Sequence, residues 1–271
     1  MRPGFLAATV NGFSRALGHA LISEETAREP GLLQSLDPRV RVVGIFALVI
    51  AVTLVHKITA VLALFAVGLL LALSSKVSLA TLAKRVWLIA LAFTGVMALP
   101  ALFLTPGTRL SGFAGQTLGM TEQGTDTAAM LIARVETAVT LTTVLVLCTP
   151  WNHILKALRA LHLPKEVVTM LGMAHRYIFL LAETAGQMFE SRQSRSVGVL
   201  HGAQQRKLVA QTAGVLMSKS IDLSQDVYLA MQSRGYRGDV YTLNEFRMRA
   251  RDWIVLFVFF AIAVVAVWLG R

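Results

Sequence analysis

Five stretches of this chain are too apolar to be left in water. Val42–His56 carries no formal charge, Lys57 interrupts it, and Ile58–Ser75 is uncharged again. Val86–Thr108 is a third uncharged run and contains Pro100. A fourth covers about Ala128–Thr149 and carries Arg134 and Glu136, and Trp253–Gly270 is the fifth. A spanning helix takes about 20 mostly apolar residues, so the first two runs together are too long for one crossing. They predict a helical hairpin turning at His56-Lys57-Ile58-Thr59. Pro100 is tolerable within a span because neighbouring groups re-satisfy the freed carbonyl. Only 15% of residues are charged, against roughly 25% in an ordinary soluble domain, and mean hydropathy is +0.62. The expected fold is an all-α integral membrane protein with about five transmembrane helices and a cytoplasmic domain of two long helices. The expected divisions are an N-terminal cytoplasmic segment at 1–36, four spans within 37–150, the cytoplasmic domain at 151–251 and a fifth span at 252–271.

Lys and Arg placement sets the orientation. Arg2, Arg15, Arg28, Arg39 and Arg41 precede the first span; Lys76, Lys84 and Arg85 follow the second. Lys156, Arg159, Lys165, Arg247, Arg249 and Arg251 flank the long polar segment, while the opposite side receives Lys57, Arg109, Arg271 and Arg134, the last placed to snorkel outward. The N-terminus and the polar segment are therefore expected in the cytoplasm and the C-terminus outside, in the cell (inner) membrane. The net charge of +11 reads as basic loops facing anionic lipid, with no nucleic acid as partner. Phe5, Leu6, Val10, Phe13, Leu17 and Leu21 recur at helical spacing and predict a short amphipathic helix rather than a signal peptide. The one cysteine, Cys148, lies in an apolar run and reads as a small buried hydrophobe.

The polar segment carries the most informative pattern. Leu163-Pro164 opens a helix whose apolar positions are Val167, Val168, Leu171, Ile178, Leu181, Met188 and Phe189. A second begins near Ala203 and runs through Leu208, Val209, Val215, Leu216, Leu223, Val227 and Met231. Each is about 30 residues, roughly 45 Å at 1.5 Å per residue, long enough to act as a rod. The tripeptide Gln-Ser-Arg closes both, with Gly198 and Gly235 as the expected stops. One arginine at a helix C-terminus is ordinary dipole chemistry. Two matched arginine tips, at Arg195 and Arg234, point to two similar sockets on a partner, since a guanidinium stays charged and grips a carboxylate bidentately. Ala182, Ala185 and Gly186 on one rod, and Ala210, Ala213 and Gly214 on the other, are small enough for a close helix crossing.

These residues carry a family resemblance. LDPRVRVV at Leu36–Val43, LTTVLVLCTPWNHILKALRALHLPKEVVTML at the end of span four, AHRYIFLL at Ala174–Leu181 and LAMQSRGYRGD at Leu229–Asp239 resemble, in order, the transmembrane coupling component of energy-coupling-factor (ECF) transporters, the EcfT or CbiQ type. The resemblance covers about Leu36–Asp239. The extended start before LDPR and the RSVG form of the first signature lean toward the cobalt/nickel CbiQ branch rather than the vitamin-type branch. It implies that two signature tips dock into grooves on two ABC ATPase subunits: here Ser194, Arg195 and Ser196, then Ser233, Arg234 and Gly235. Ser196 departs from the family's glycine, and Ser194 and Ser233 stand where alanine is common. The implied partners are those two ATPases, a substrate-binding membrane subunit and the lipid bilayer.

Other chemistries fit less well. There is no GxxxxGK[ST] loop and no Gly-Lys dipeptide, so ATP is expected to be used by partner subunits, with no cofactor bound by this chain. There is no HExxH, and His153, His162 and His175 do not share one helical face, so no metal site is expected. Arg134 and Glu136 are two apart and do not share a face. A lipid-modifying enzyme would need clustered acids, which Asp222, Asp226, Asp239 and Glu245 do not form as a paired repeat. A self-sufficient permease would need a polar path or an inverted repeat. The reading is a non-catalytic subunit that transmits ATP-driven motion for uptake of a micronutrient, with cobalt or nickel ahead of a vitamin.

Overall fold

The computed structural model describes residues 31, 33–75, 82–104, 109–111, 117–195, 202–238 and 248–271. The expected amphipathic helix near the N-terminus and the Gly198 stop lie outside them. After a 3₁₀ turn at Leu33–Ser35 come helices α1 (Pro38–Leu54) and α2 (Ile58–Ser74). A π-helical turn at Ala83–Trp87 leads directly into α3 (Leu88–Leu104). A β-hairpin (β1, Arg109–Ser111; β2, Thr117–Thr121) precedes α4 (Glu122–Cys148), α5 (Trp151–Ala160), α6 (Lys165–Arg195), α7 (Gly202–Ser233) and α8 (Ala250–Gly270). The chain divides into two compact units, one within Leu158–Glu245 and one within Thr26–Ala157 and Phe246–Arg271.

The apolar runs set the helices of the second unit. α1 starts where Asp37 Oδ1 accepts from the Arg39 N–H and Pro38 takes the first turn, both helix-start devices. α1 and α2 turn at Val55–Lys57 as expected. Pro100 lies inside α3. Gln123–Cys148 and Ala250–Gly270 are long and apolar enough to cross a membrane; Ile58–Ser74 and Leu88–Pro100 are shorter apolar helices. Two departures concern the chain before α4. The fourth apolar run was expected to start at about Ala128, yet Arg109–Ser111 and Thr117–Thr121 pair antiparallel and α4 starts six residues before Ala128. The charges at Glu122 and Asp126 bounded the apolar run but do not stop a helix.

α4 packs against α3, α2 and α1, and α8 packs against α1 and α2, so the α1–α2 hairpin is held mainly through its neighbours. The core is Leu48, Val52, Val61, Leu64, Leu141, Val144 and Phe259 with smaller residues between. Buried threonines of α4 satisfy themselves locally: Thr137 and Thr140 hydroxyls donate to the carbonyls of Ala133 and Glu136. Thr140 also accepts from Trp87 Nε1 at 3.0 Å, fastening the π-helical turn to α4. Cys148 is fully buried in this core.

One end of the bundle is fastened by hydrogen bonds to exposed helix ends. The last carbonyls of a helix have no partner within it. Here the His56 and Lys57 N–H groups donate to Gly270 O at 2.9 and 3.2 Å, and Lys57 Nζ donates to Leu269 O at 3.2 Å. Arg134 was expected to reach outward toward the side of Lys57, and its Nη2 donates there to Val55 O at 2.7 Å, a carbonyl freed at the turn between α1 and α2. Glu136, two residues on, has both carboxylate oxygens shielded and without a hydrogen bond in the structure.

Gly44 of α1 faces the Phe259 ring of α8 so closely that a Cβ would overlap Cδ2 and Cγ of that ring. Gly44→Val should therefore destabilise this unit by about 1–3 kcal/mol, the usual overpacking cost. Thermal unfolding in detergent should show the drop. Adding Phe259→Leu should recover part of it, and an unchanged transition in Gly44→Val would show that the α1–α8 contact is not tight.

Candidate functional site

The unit within Leu158–Glu245 is built on α6 and α7, of 31 and 32 residues. α5 ends with Leu161 N–H and Leu163 N–H both donating to Leu158 O, and His162 turns the chain at φ 66° into α6. α6 and α7 run antiparallel. Arg192 Nη1 reaches Gln211 Oε1 at 3.5 Å near one end. Toward the other, Glu166–Leu181 of α6 and Ser220–Tyr236 line one groove of about 570 Å³. The second rod ends as the repeated tripeptide predicts, the first is described as far as Arg195, and the antiparallel pairing puts the two tips at opposite ends of the pair. A 30-residue helix rises about 45 Å, so the two tips are separated by a distance of that order.

The tips share local geometry. Ser194 Oγ donates to Ser191 O at 2.9 Å, and Ser233 Oγ donates to Ala230 O at 2.9 Å, the same bond to the carbonyl three residues earlier. α6 is described as far as Arg195, and α7 ends at Ser233. Ser194, Arg195, Ser233 and Arg234 are exposed, and neither Arg195 nor Arg234 has a side-chain hydrogen bond among the described residues. The second tip closes as a Schellman motif. Tyr236 N–H donates to Met231 O at 3.0 Å, Gly235 N–H donates to Gln232 O at 2.9 Å, and Gly235 sits at φ +83°. This left-handed position needs glycine, and it leaves Arg234 on the last helical step. Ser196 of the first tip lies outside the described residues.

The small-residue crossing holds only in part. Ala185 is buried, but Gly186 and Gly214 face open space, with nothing within 4 Å of an added Cβ. Thr212 is the buried side chain of α7, its hydroxyl turned back onto Leu208 O at 2.9 Å. Large apolar side chains stay exposed along both rods, Met170, Ile178, Met217 and Leu229 each at 60% or more. Surface of this kind, on rods with exposed cationic ends, is suited to partner proteins.

A second constellation, which the pattern of apolar runs did not single out, lies in the other unit. Arg41 is 2% exposed. Its Nε and Nη2 donate to Leu36 O at 3.1 and 2.8 Å, and Nη2 also reaches Gln34 O at 3.3 Å. Its Nη1 donates to Cys148 O at 2.8 Å and approaches Thr149 Oγ1 at 3.5 Å. Beside it, Asp252 is 5% exposed; its Oδ1 accepts from Asp37 N–H at 3.2 Å and its Oδ2 from Arg249 N–H at 2.9 Å. Gln34 Nε2 donates to Ser75 O at 3.3 Å, at the end of α2. The start of α1, the end of α2, the end of α4 and the start of α8 thus meet at one buried polar cluster. The signal for it was present as charges inside the opening motif LDPRVR and as an acid, Asp252, one residue before an apolar span.

Among the described residues no three His, Cys, Asp or Glu side chains come together to hold a metal ion. An uncharacterized protein of Methanocaldococcus jannaschii is 28% identical over 95% of this chain and 89% of its own length. The energy-coupling factor transporter transmembrane protein EcfT of Listeria innocua is 27% identical over 76% of this chain and 81% of its own length. The cobalt transport protein CbiQ of Rhodobacter capsulatus is 27% identical over 56% of this chain and 63% of its own length. The profile of the family described as cobalt transport protein, CbiQ, matches residues 31–243, and with the family's opening motif, apolar helices and paired rods all in that span, this chain belongs to the EcfT/CbiQ family of membrane transport proteins.

Proposed function

We propose that this chain is the transmembrane coupling subunit of an ECF-type ABC importer. The carrying observation is the pair of exposed arginine tips with the same local hydrogen bond, at opposite ends of two antiparallel rods. Tips that far apart suit two separate sockets, one on each of two ATPase subunits. ATP binding draws the ATPases together and the tips move with them. The rods, too stiff to bend within one turn, carry that displacement to the membrane helices, and packed helices sliding against one another pass it to a substrate-binding membrane subunit. The chain itself is non-catalytic, binds no cofactor, and leaves ATP to its partners.

The relative named an energy-coupling factor transporter transmembrane protein supports the partner arrangement. The family description and the relative named a cobalt transport protein support cobalt as substrate, with nickel as the chemically closest alternative. α1, α2, α3, α4 and α8 serve as five crossings of the cell membrane. The apolar side chains that α8 leaves exposed, among them Phe257 at 75% and Trp268 at 78%, suit lipid contact. Lys and Arg bias puts the rods and the N-terminus in the cytoplasm.

Affinity capture of the tagged chain with its co-expressed ATPases tests the reading. Wild type should retain both ATPases, and Arg195→Glu/Arg234→Glu should lose them and abolish Co²⁺ uptake while membrane insertion stays normal. Retention by both would show that the tips are not the grip.

Two substitutions separate grip from transmission. Gly235→Val forces a β-branched residue to φ +83°, a strain of about 1–3 kcal/mol, and shifts Arg234. Its affinity for the ATPases should fall about tenfold or more, whereas Gly186→Ala, in open space, should bind as wild type. Leu216→Pro breaks the middle of α7 at a cost of about 3 kcal/mol. That variant should keep ATPases bound at the tips yet fail in uptake, and normal uptake would exclude rigid transmission.

A further inference from the structure

The end of α4 and the start of α8, the membrane unit's helices on either side of the rod-bearing stretch, converge on the Arg41 cluster. The chain runs on from Cys148 and Thr149 into α5, whose residues to Ala157 still belong to the membrane unit, and α8 begins beside Arg249 and Asp252. The end of α4 is gripped by Arg41 Nη1 at Cys148 O. The start of α8 is gripped by Asp252, whose two oxygens accept from Asp37 N–H and Arg249 N–H. Asp37 caps α1 and Arg41 lies four residues on, so one turn of one helix holds both the end of α4 and the start of α8.

We propose that Arg41, with Asp37 and Asp252, is a clamp through which movement of the rods is delivered to the membrane helices, making Arg41 a positioning residue for transport. The proposal rests on the coupling-subunit reading. A connection that could unravel would absorb the displacement of a rod instead of passing it on. The last carbonyls of α4 have no partner within the helix, so without a donor that turn frays. Arg41 supplies the donor from a rigid fork already fixed on Leu36 O and Gln34 O, so α4 cannot loosen unless α1 moves with it. The requirement is for the fork as much as for the charge. A lysine ammonium, a single point, cannot span Leu36 O on one side and Cys148 O on the other.

Cys148 makes this testable, because it is the only cysteine in the chain and is fully buried beside the clamp. The complete complex with its ATPases is reconstituted in liposomes. Cys148 is probed with a membrane-permeant maleimide during ATP hydrolysis, alongside hydrolysis rate and Co²⁺ uptake. In wild type Cys148 should stay protected. In Arg41→Gln labelling should rise about tenfold, the scale of one lost charge-assisted hydrogen bond. ATPases should remain bound and hydrolyse at the wild-type rate, and uptake should fall by a similar factor. Arg41→Lys should behave like Arg41→Gln, and Asp252→Asn should lower uptake per ATP hydrolysed in the same direction.

Uptake and hydrolysis falling together, with loss of folded complex, would make Arg41 a stability residue only and overturn the proposal. Unchanged uptake in Arg41→Gln would overturn it equally. If the wild-type chain retains no ATPase, the coupling reading itself fails. Unchanged Cys148 labelling in Arg41→Gln, measured on the chain alone in liposomes, then overturns the clamp independently.

Discussion

The Arg41 guanidinium is the constraint on which the arrangement of this protein most depends. A charge at 2% exposure in an apolar bundle would be prohibitively costly unless its donors were met, and all three nitrogens are. What meets them is backbone: carbonyls of Gln34, Leu36 and Cys148. Those carbonyls sit before a helix start and at a helix end, where ladder partners are missing. One side chain thus solves several end problems at once. It thereby fixes the relative positions of the 33–36 segment, α1 and α4.

The opposite end of the bundle uses the same chemistry with other residues. Arg134 takes Val55 O, and the His56 and Lys57 N–H groups take Gly270 O. Between these two ends the interior is mainly apolar, its buried threonines on α4 bonded locally and to Trp87. In a bilayer, apolar side chains gain little by leaving lipid for protein, so packing between helices rests on shape and on polar contacts. The Gly44–Phe259 contact supplies shape, and the two polar ends supply register. Sliding α1 by one turn would break bonds at both ends together, so its position along the bundle is specified even though most of its surface is generic.

How far this was legible from the chain follows the range of the interactions. Helix positions and the α1–α2 turn were readable because charge and apolarity act locally: Lys57 breaks a run, and the turn is there. The rods and the end of the second were readable from helical periodicity and a repeated tripeptide. Gly235 at φ +83° has the role its place after Gln-Ser-Arg implies. Pairings at long range were not. Arg41 with Cys148 joins residues 107 apart and Asp37 with Asp252 residues 215 apart, and nothing in local spacing identifies either partner. The acceptor of Arg134 was not legible for the same reason, since Val55 is 79 residues away. Gly186 and Gly214 show a further limit: small residues permit a close crossing but do not require one, and both face open space.

The division of labour between the two units follows from what each buries. The membrane unit closes most of its helix-end polar groups internally and shows outward an apolar surface that includes Phe257, Val264 and Trp268. The rods do the reverse. α6 buries Ala185 and α7 buries Thr212, while Met170, Ile178, Met217 and Leu229 stay open and both tips keep cationic ends in solution. Rods with so little interior of their own hold their shape by backbone hydrogen bonding and by whatever covers them, so they are suited to be moved by partners. On the coupling reading a rod moved at its tip does work only if its root is held, and the end of α4 and the start of α8, on either side of the rod-bearing stretch, meet at Arg41, the side chain with the most hydrogen bonds among the described residues.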